Sequence, residues 1–503
     1  MTMIAELELD GRSLTPAAVH AVAHGARVRL SGDARARCDR TAAIWAGLPS
    51  VLVRKHRFLV GEAAPPGAEL VAPFLLAHCS GVGEPLPQPI VRAMIVSRAN
   101  ALAHGSSGVR SVVIDALLHL LNEQKTPVVP SQGSVGAAGD LAPLAHVARV
   151  IAGLGGAVED AAGRPCAPPN ALHLTDKEAL ALINGATLTV GLAAVAVTRA
   201  ARLLDAAEVA CAMTMEVLRA DLRCISPGAM AARPHPGAVA VAARLRGLLE
   251  GSTLARCGER SDPFSLRAAP AVLGAARDAL AHTAETVTHE LNAACDNPLW
   301  VDGEGEVEAG NFHGAPVAVV LDYLRIALTQ AATQSERRSF RLTHGALNGD
   351  LPSFLVEGTG LNSGFMLAQY TAASLASECK GLSHPASVDT IPTIQHFEDH
   401  VSMGPIAGRL TLRVIENLAD IVGIEVLLAA QALEFRREGV SFPGGQRSVG
   451  PAVALAPAIE RARALVRATT AVWRDDQILH PALAATGRLV RGGSLGGDAD
   501  AAW

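Results

Sequence analysis

Twenty consecutive residues, Ala179 to Thr198, carry no charge. A run of that length either crosses a membrane or lies inside a protein core. Asn184, Gly185 and three threonines interrupt it. A buried core helix is therefore expected. Composition agrees with that choice. Half of the chain is hydrophobic but only 3% is aromatic, so Ala, Leu and Val must fill the interior. Small side chains of this kind suit closely packed helices. The 503 residues are enough for one large helical unit with an appendage. A net charge of -5 gives no reason to expect nucleic acid or an anionic membrane as partner. The 8 cysteines are scattered without a C-x-x-C pair, which points away from a disulfide framework or a zinc knuckle. Glu6, Glu8 and Asp10 near the start leave no basic n-region, so a cytoplasmic location is expected.

Along the chain, Ala5 to Leu9 reads as a short strand, and Thr15-Pro16 starts a helix, Pro being favourable in a first turn. Val91, Met94, Ile95, Ala99 and Leu102 mark one face of a helix, and Val112 to Asn122 is another. Gly153 to Pro169 is a surface connection. Long helices follow from Pro270 and Pro316 and continue to about Leu489, with a small polar tail after Gly492. The fold expected is mainly α. Residues 1–195 form an N-terminal part, and residues 196–503 form a bundle of long helices with the C-terminal helices.

The run Gly133-Ser134-Val135-Gly136-Ala137-Ala138-Gly139-Asp140-Leu141-Ala142-Pro143-Leu144-Ala145-His146 is a Gly-rich loop opening a helix, with Asp140 as an expected N-cap. Gly133, Gly136 and Gly139 permit positive φ and close backbone approach. It lacks the G-x-x-x-x-G-K-[ST] pattern, so Ser134 and Asp140 do not make it a phosphate loop. With Ala77-His78-Cys79-Ser80-Gly81-Val82-Gly83-Glu84-Pro85-Leu86 and Ile183-Asn184-Gly185, it closely resembles the signature of the aromatic amino acid ammonia-lyases. That family comprises histidine, phenylalanine and tyrosine ammonia-lyases and aminomutases, and the histidine-specific branch matches best. The resemblance covers most of the chain. It implies a fumarase-like helical bundle, a homotetramer, and a substrate pocket drawn from neighbouring subunits.

In that family an Ala-Ser-Gly triplet cyclises and dehydrates to a methylidene-imidazolone, the reaction's electrophile. Here the triplet is Ala137-Ala138-Gly139. Forming the methylidene requires an oxygen on the central β-carbon, and Ala138 has none. No cofactor is therefore expected. The resemblance carries over further residues position by position. His78 matches the His of the Gly-Val-Gly segment. Asn184 matches the Asn that contacts the prosthetic group. Arg267 matches the Arg that grips the substrate carboxylate, a pairing that suits a guanidinium fork. Phe312 matches a pocket aromatic, and Glu398 matches the acidic residue of the histidine branch. Other positions depart. Phe264 replaces a Tyr, Ser261 replaces a Gln, and His396-Phe397 replaces Asn-Gln. The loop Tyr is missing, its place taken by Leu52-Val53-Arg54-Lys55-His56-Arg57-Phe58, and the only tyrosines are Tyr323 and Tyr370. So many coordinated losses indicate divergence rather than a single inactivating change.

His396, Glu398 and His400 have the spacing of a helical metal site. Glu-Asp-His belongs to the family pattern without a metal, however. A new His beside an inherited Glu fits an acid/base or substrate-binding pair instead, and no metal is expected. Three readings stay open at this point. The chain is a repurposed lyase-like enzyme using Glu398, His396 and His78 on a small carboxylate-bearing substrate. Alternatively it is a non-catalytic homologue acting as a binding or oligomer partner. Or it is a conventional ammonia-lyase inactivated by Ala138.

Overall fold

The computed structural model describes residues 6–60, 66–255, 262–394 and 397–496. Its centre is formed by long helices packed against one another: Thr187–Val217, Ala269–Leu291, Ala315–Thr343 and Gly404–Arg437. Their inward faces are mainly Ala, Leu, Val and Ile, as the scarcity of aromatics requires. Small residues let them approach closely. A Cβ on Gly423 would lie 2.9 Å from the backbone of Gly487, where the helix His480–Arg491 crosses. The expected division at residue 195 falls inside Thr187–Val217.

The charge-free stretch is buried, but it is two helices rather than one. Asp176–Ile183 opens with a capping box in which Thr175 and Glu178 satisfy each other's backbone N–H groups. It stops at Asn184, whose backbone is extended, and Thr187–Val217 begins three residues later. By length and composition, Thr187–Val217 and Ala315–Thr343 could each cross a membrane, yet 78% and 67% of their most apolar windows are covered by protein.

The N-terminal part matches expectation closely. Glu6–Leu9 is a strand, Thr15 caps Pro16–Ala23, and Arg27–Leu30 returns parallel to the first strand. Val82–Pro85 pairs antiparallel with Pro130–Gln132, which brings the segment after His78 to the signature loop. A hairpin of Leu299–Val301 and Gly305–Val307 was not foreseen.

The bundle also holds a buried ion pair. Arg338 Nε and Nη2 donate to the two oxygens of Glu425 at 2.6 and 2.8 Å, and both side chains are fully buried. Thr214 and Ser335 donate to the same carboxylate at 2.8 and 2.6 Å. Four hydrogen bonds thus join three long helices at one point. Removing one member strands the other charge in the core, at a cost of about 3–5 kcal/mol. Glu425→Ala should lower unfolding stability by that amount in chemical denaturation, and Arg338→Met with Glu425→Leu should recover much of the loss. A single variant costing under about 1 kcal/mol would show that the pair is not structural.

Candidate active site

The Gly-rich loop takes the backbone conformations its glycines permit, with φ of 144°, 68° and 81° at Gly133, Gly136 and Gly139. At Gly139 a side chain is sterically excluded, since a Cβ would sit 2.4 Å from the backbone of Gly185. The two glycines form a parallel bridge, and Asp140 N donates to Gly185 O at 2.8 Å. Asp140 precedes the helix Leu141–Ile151 but does not cap it with its side chain. Its Oδ2 instead accepts from Thr189 N at 2.8 Å, in the first turn of Thr187–Val217, and its Oδ1 from the hydroxyls of Thr189 and Ser134 at 3.3 Å. The expected cap is therefore made to a different helix. Burial pushes the Asp140 carboxyl up to about 6, against the lowering effect of the Thr189 and Ser134 hydrogen bonds.

Other long helices start at the same place. Met403 N donates to Val135 O at 2.8 Å, and Ser402 Oγ donates to Gly136 O at 3.1 Å, just before Gly404–Arg437 begins. Gly314, the residue preceding Ala315–Thr343, lies against Ala186 and Ser402. The N-termini of Leu141–Ile151, Thr187–Val217, Ala315–Thr343 and Gly404–Arg437 converge on the Ala137-Ala138-Gly139 loop. Helix N-termini present unpaired N–H groups and partial positive charge, so this is ground that favours an anion or developing negative charge.

Asn184 sits at the mouth of this junction. It is 1% exposed, and its Nδ2 donates to Asn297 O at 2.8 Å. Its Oδ1 is buried without a partner among the described residues, as is Thr187 Oγ1. Behind it, Arg98 donates to Cys295 O at 2.6 Å and to Ala181 O, and lies 3.8 Å from Asp296. Lys177 Nζ completes that buried cluster, 2.8 Å from Asp296 Oδ2.

Several of the expected site residues meet here. Ala137 packs with Val401 and Met403, so the segment carrying Glu398 lies against the triplet. Glu398 Oε2 accepts from Thr393 Oγ1 at 2.7 Å. His313, next to Phe312, donates from Nε2 to His400 O at 3.2 Å, which ties the half-buried Phe312 segment to the Glu398 loop. His78 donates from Nδ1 to Phe74 O at 2.7 Å, which leaves Nε2 as the acceptor nitrogen. Ala138 itself is half-buried and presents a methyl group.

Arg267 and Phe264 do not meet the others within one chain. Their short helix Phe264–Arg267 is fixed by Arg338 Nη1 donating to Ser265 O at 3.3 Å. Arg338 is on the same helix as Ala315, roughly 35 Å from it at about 1.5 Å rise per residue. Arg267 therefore stands near the opposite end of the bundle from Ala138. It is exposed, its guanidinium lies 4.7 Å from the Phe264 ring, and it has no acidic partner among the described residues. Ser261 and His396 lie outside the described residues. Sequence reasoning passed over Lys55, which lies in electrostatic reach of Asp296 and Glu398. The signal available was its place in the segment standing where the family Tyr would be.

Comparison with known proteins agrees with this framework. The aromatic amino acid lyase family model matches residues 66–468. Histidine ammonia-lyase of Symbiobacterium thermophilum is 42% identical, over 97% of each chain. The crystal structure of histidine ammonia-lyase from Trypanosoma cruzi superposes with a TM-score of 0.86 at 35% identity, covering 97% of this chain and 94% of that one. Tyrosine aminomutase from Streptomyces globisporus gives 0.87 at 32% identity, covering 97% of each.

The Asp140 junction has a pH signature. A carboxyl raised from 3.8 to about 6 in the folded state favours the protonated fold. Its contribution is full below about 4 and is lost as pH rises toward about 6. Asp140→Asn keeps an acceptor for Thr189 N but does not titrate. The stability difference between parent and variant, measured by thermal melts from pH 4 to 7, should move against the parent as pH rises. A constant difference would show that Asp140 is ionised throughout.

Proposed function

This chain belongs to the aromatic amino acid lyase family, and from that premise we propose that it is a diverged, lyase-like member acting without a methylidene-imidazolone. One observation carries the reading. The loop framework is intact, with Gly139 on Gly185, Asp140 on Thr189 and the Asn184 oxygen unspent, while the side chain it presents is the methyl group of Ala138. A methyl carbon offers no hydroxyl to lose, so these residues do not fit the group. The substrate is a small amino acid or related carboxylic acid. Arg267 binds its carboxylate, Asn184 and Phe312 line its pocket, Phe264 lies against the guanidinium, and Ser261 belongs to the same substrate-binding set. Glu398, His396 and His78 move protons, a contribution typically worth 10²–10⁴-fold. Without the electrophile, that chemistry suits a substrate with a better leaving group or a more acidic proton than an ordinary amino acid.

The 42% identity to a histidine ammonia-lyase favours a second reading, conventional ammonia elimination. That reading requires the prosthetic group, hence a mass two waters below the sequence. We expect intact-mass spectrometry of the native protein to give the full sequence mass, and ammonia release from histidine, phenylalanine or tyrosine to be negligible. A two-water deficit, or turnover like that of an ordinary lyase, would sink the proposal.

The site also needs more than one chain. With Arg267 far from Glu398, a substrate spanning both requires another copy laid against the first. Exposed apolar residues support this: Val319, Tyr323 and Ile326 share one face of Ala315–Thr343, and Leu367 and Tyr370 are exposed on Met366–Leu382. We place the chain in a homotetramer, in which Arg267 becomes a covered, charge-assisted carboxylate anchor. Arg267→Ala should weaken acid binding by about 2–5 kcal/mol in calorimetry, in a screen of amino acids beginning with L-histidine. Light scattering should show four chains for parent and variant alike. A monomer, or equal binding to both proteins, would overturn this arrangement.

A further inference from the structure

The 43 basic residues include only four lysines, Lys55, Lys125, Lys177 and Lys380, the rest being arginines. Two of those four, Lys55 and Lys177, are within electrostatic reach of each other, and Lys177 is on the helix that ends at Asn184. The choice of residue matters there, because arginine does not deprotonate in proteins whereas a partly buried lysine does.

Lys55 is on the helix Val51–Val60, in the segment that stands where the loop Tyr is missing. Val51 and Leu52 pack against Leu180, and Ser50 Oγ donates to Asp176 Oδ2 at 2.6 Å, so this helix is seated on Asp176–Ile183, which ends at Asn184. Arg54 Nη2 donates to Glu306 Oε1 at 2.6 Å and anchors the next turn to the hairpin. Lys55 is half-buried and within electrostatic reach of Asp296, Lys177, Glu308 and Glu398. Asp296 is already committed, to Lys177 at 2.8 Å and Arg98 at 3.8 Å. Glu306 is committed to Arg54. Among the described residues the Lys55 ammonium has neither a hydrogen bond nor an ion pair.

Resting on the family reading above, we propose that Lys55 joins Glu398, His396 and His78 as a proton-transfer group of this site, its amine carried by a helix seated on the one that ends at Asn184. Burial holds its ammonium below the ordinary lysine range. Lys177 acts in the same direction, while Asp296, Glu308 and Glu398 oppose it. In the neutral form its lone pair takes a proton from an O–H, N–H or acidic C–H of the bound acid. The bond pair stays on the ligand, as an anion or as a new C=C that expels a leaving group with its own electron pair. Lys55 is left as the ammonium. A lone pair on nitrogen, made more available by burial, fills the role that the missing phenol leaves open.

The small number of lysines makes the test direct. Reductive dimethylation of the native, full-length protein with ¹³C-formaldehyde labels the reactive lysines and the N-terminus, and Lys55→Arg assigns the Lys55 signal by its loss while preserving charge. The Lys55 signal should titrate at least about one pH unit below those of Lys125 and Lys380. It should also shift when an amino acid or related acid found to bind by calorimetry saturates the site. Failure of Lys55 to label, titration together with Lys125 and Lys380, or no shift at saturation would each overturn the proposal. Failure of the family reading is registered separately by the two-water mass deficit, which does not depend on how Lys55 titrates.

Discussion

Asp140 spends its carboxylate on Thr189, across the loop, rather than on the helix it precedes. That interaction fixes the start of the long apolar helix Thr187–Val217 against the loop. It works only because Gly139 and Gly185 let two backbones come within a distance that any side chain would prevent. Ser402 and Met403 secure the same loop from the other side. The loop is therefore over-determined from several directions, and its shape survives independently of what the residue at 138 carries.

Cost and function separate at this junction. A buried carboxylate, an unpaired amide oxygen on Asn184 and an unpaired hydroxyl on Thr187 are each unfavourable in a core. A structure that had kept only the fold would be more stable with apolar residues there. By contrast, the Arg338–Glu425 pair at mid-bundle is saturated by Thr214 and Ser335 and leaves its carboxylate nothing to offer a ligand. Asn184 Oδ1 and Thr187 Oγ1 thus keep unspent capacity where the helix N-termini meet, while the Glu425 carboxylate is satisfied internally.

The helical architecture was legible because its cause is local: apolar residues at helical spacing, Thr15 before Pro16, and glycines where the loop turns. The break after Ile183 was not. Asn184-Gly185 looks like an interruption within one helix, and only the approach of Gly139 and Arg98 shows why the backbone must turn there. Asp140 read as a cap for the nearest helix because sequence supplies only the nearest helix. The strands of the Leu299–Val307 hairpin are too short to leave a periodic signal. Membership of Ala138, Asn184, Phe312 and Glu398 in one place followed from motif resemblance. That Arg267 stands far from them could not be read from any motif, since position along a helix becomes distance only after the bundle is built.

That separation has a genetic consequence. Where one chain provides the Ala138–Asn184 end and another the Arg267 end, each site is a joint product, and each chain takes part in more than one. A lesion near Asn184 and a lesion at Arg267, carried on different chains, leave some corners of a mixed assembly with both halves sound. Two alleles that are each defective alone would then complement in the same cell, whereas two lesions at the same end would not.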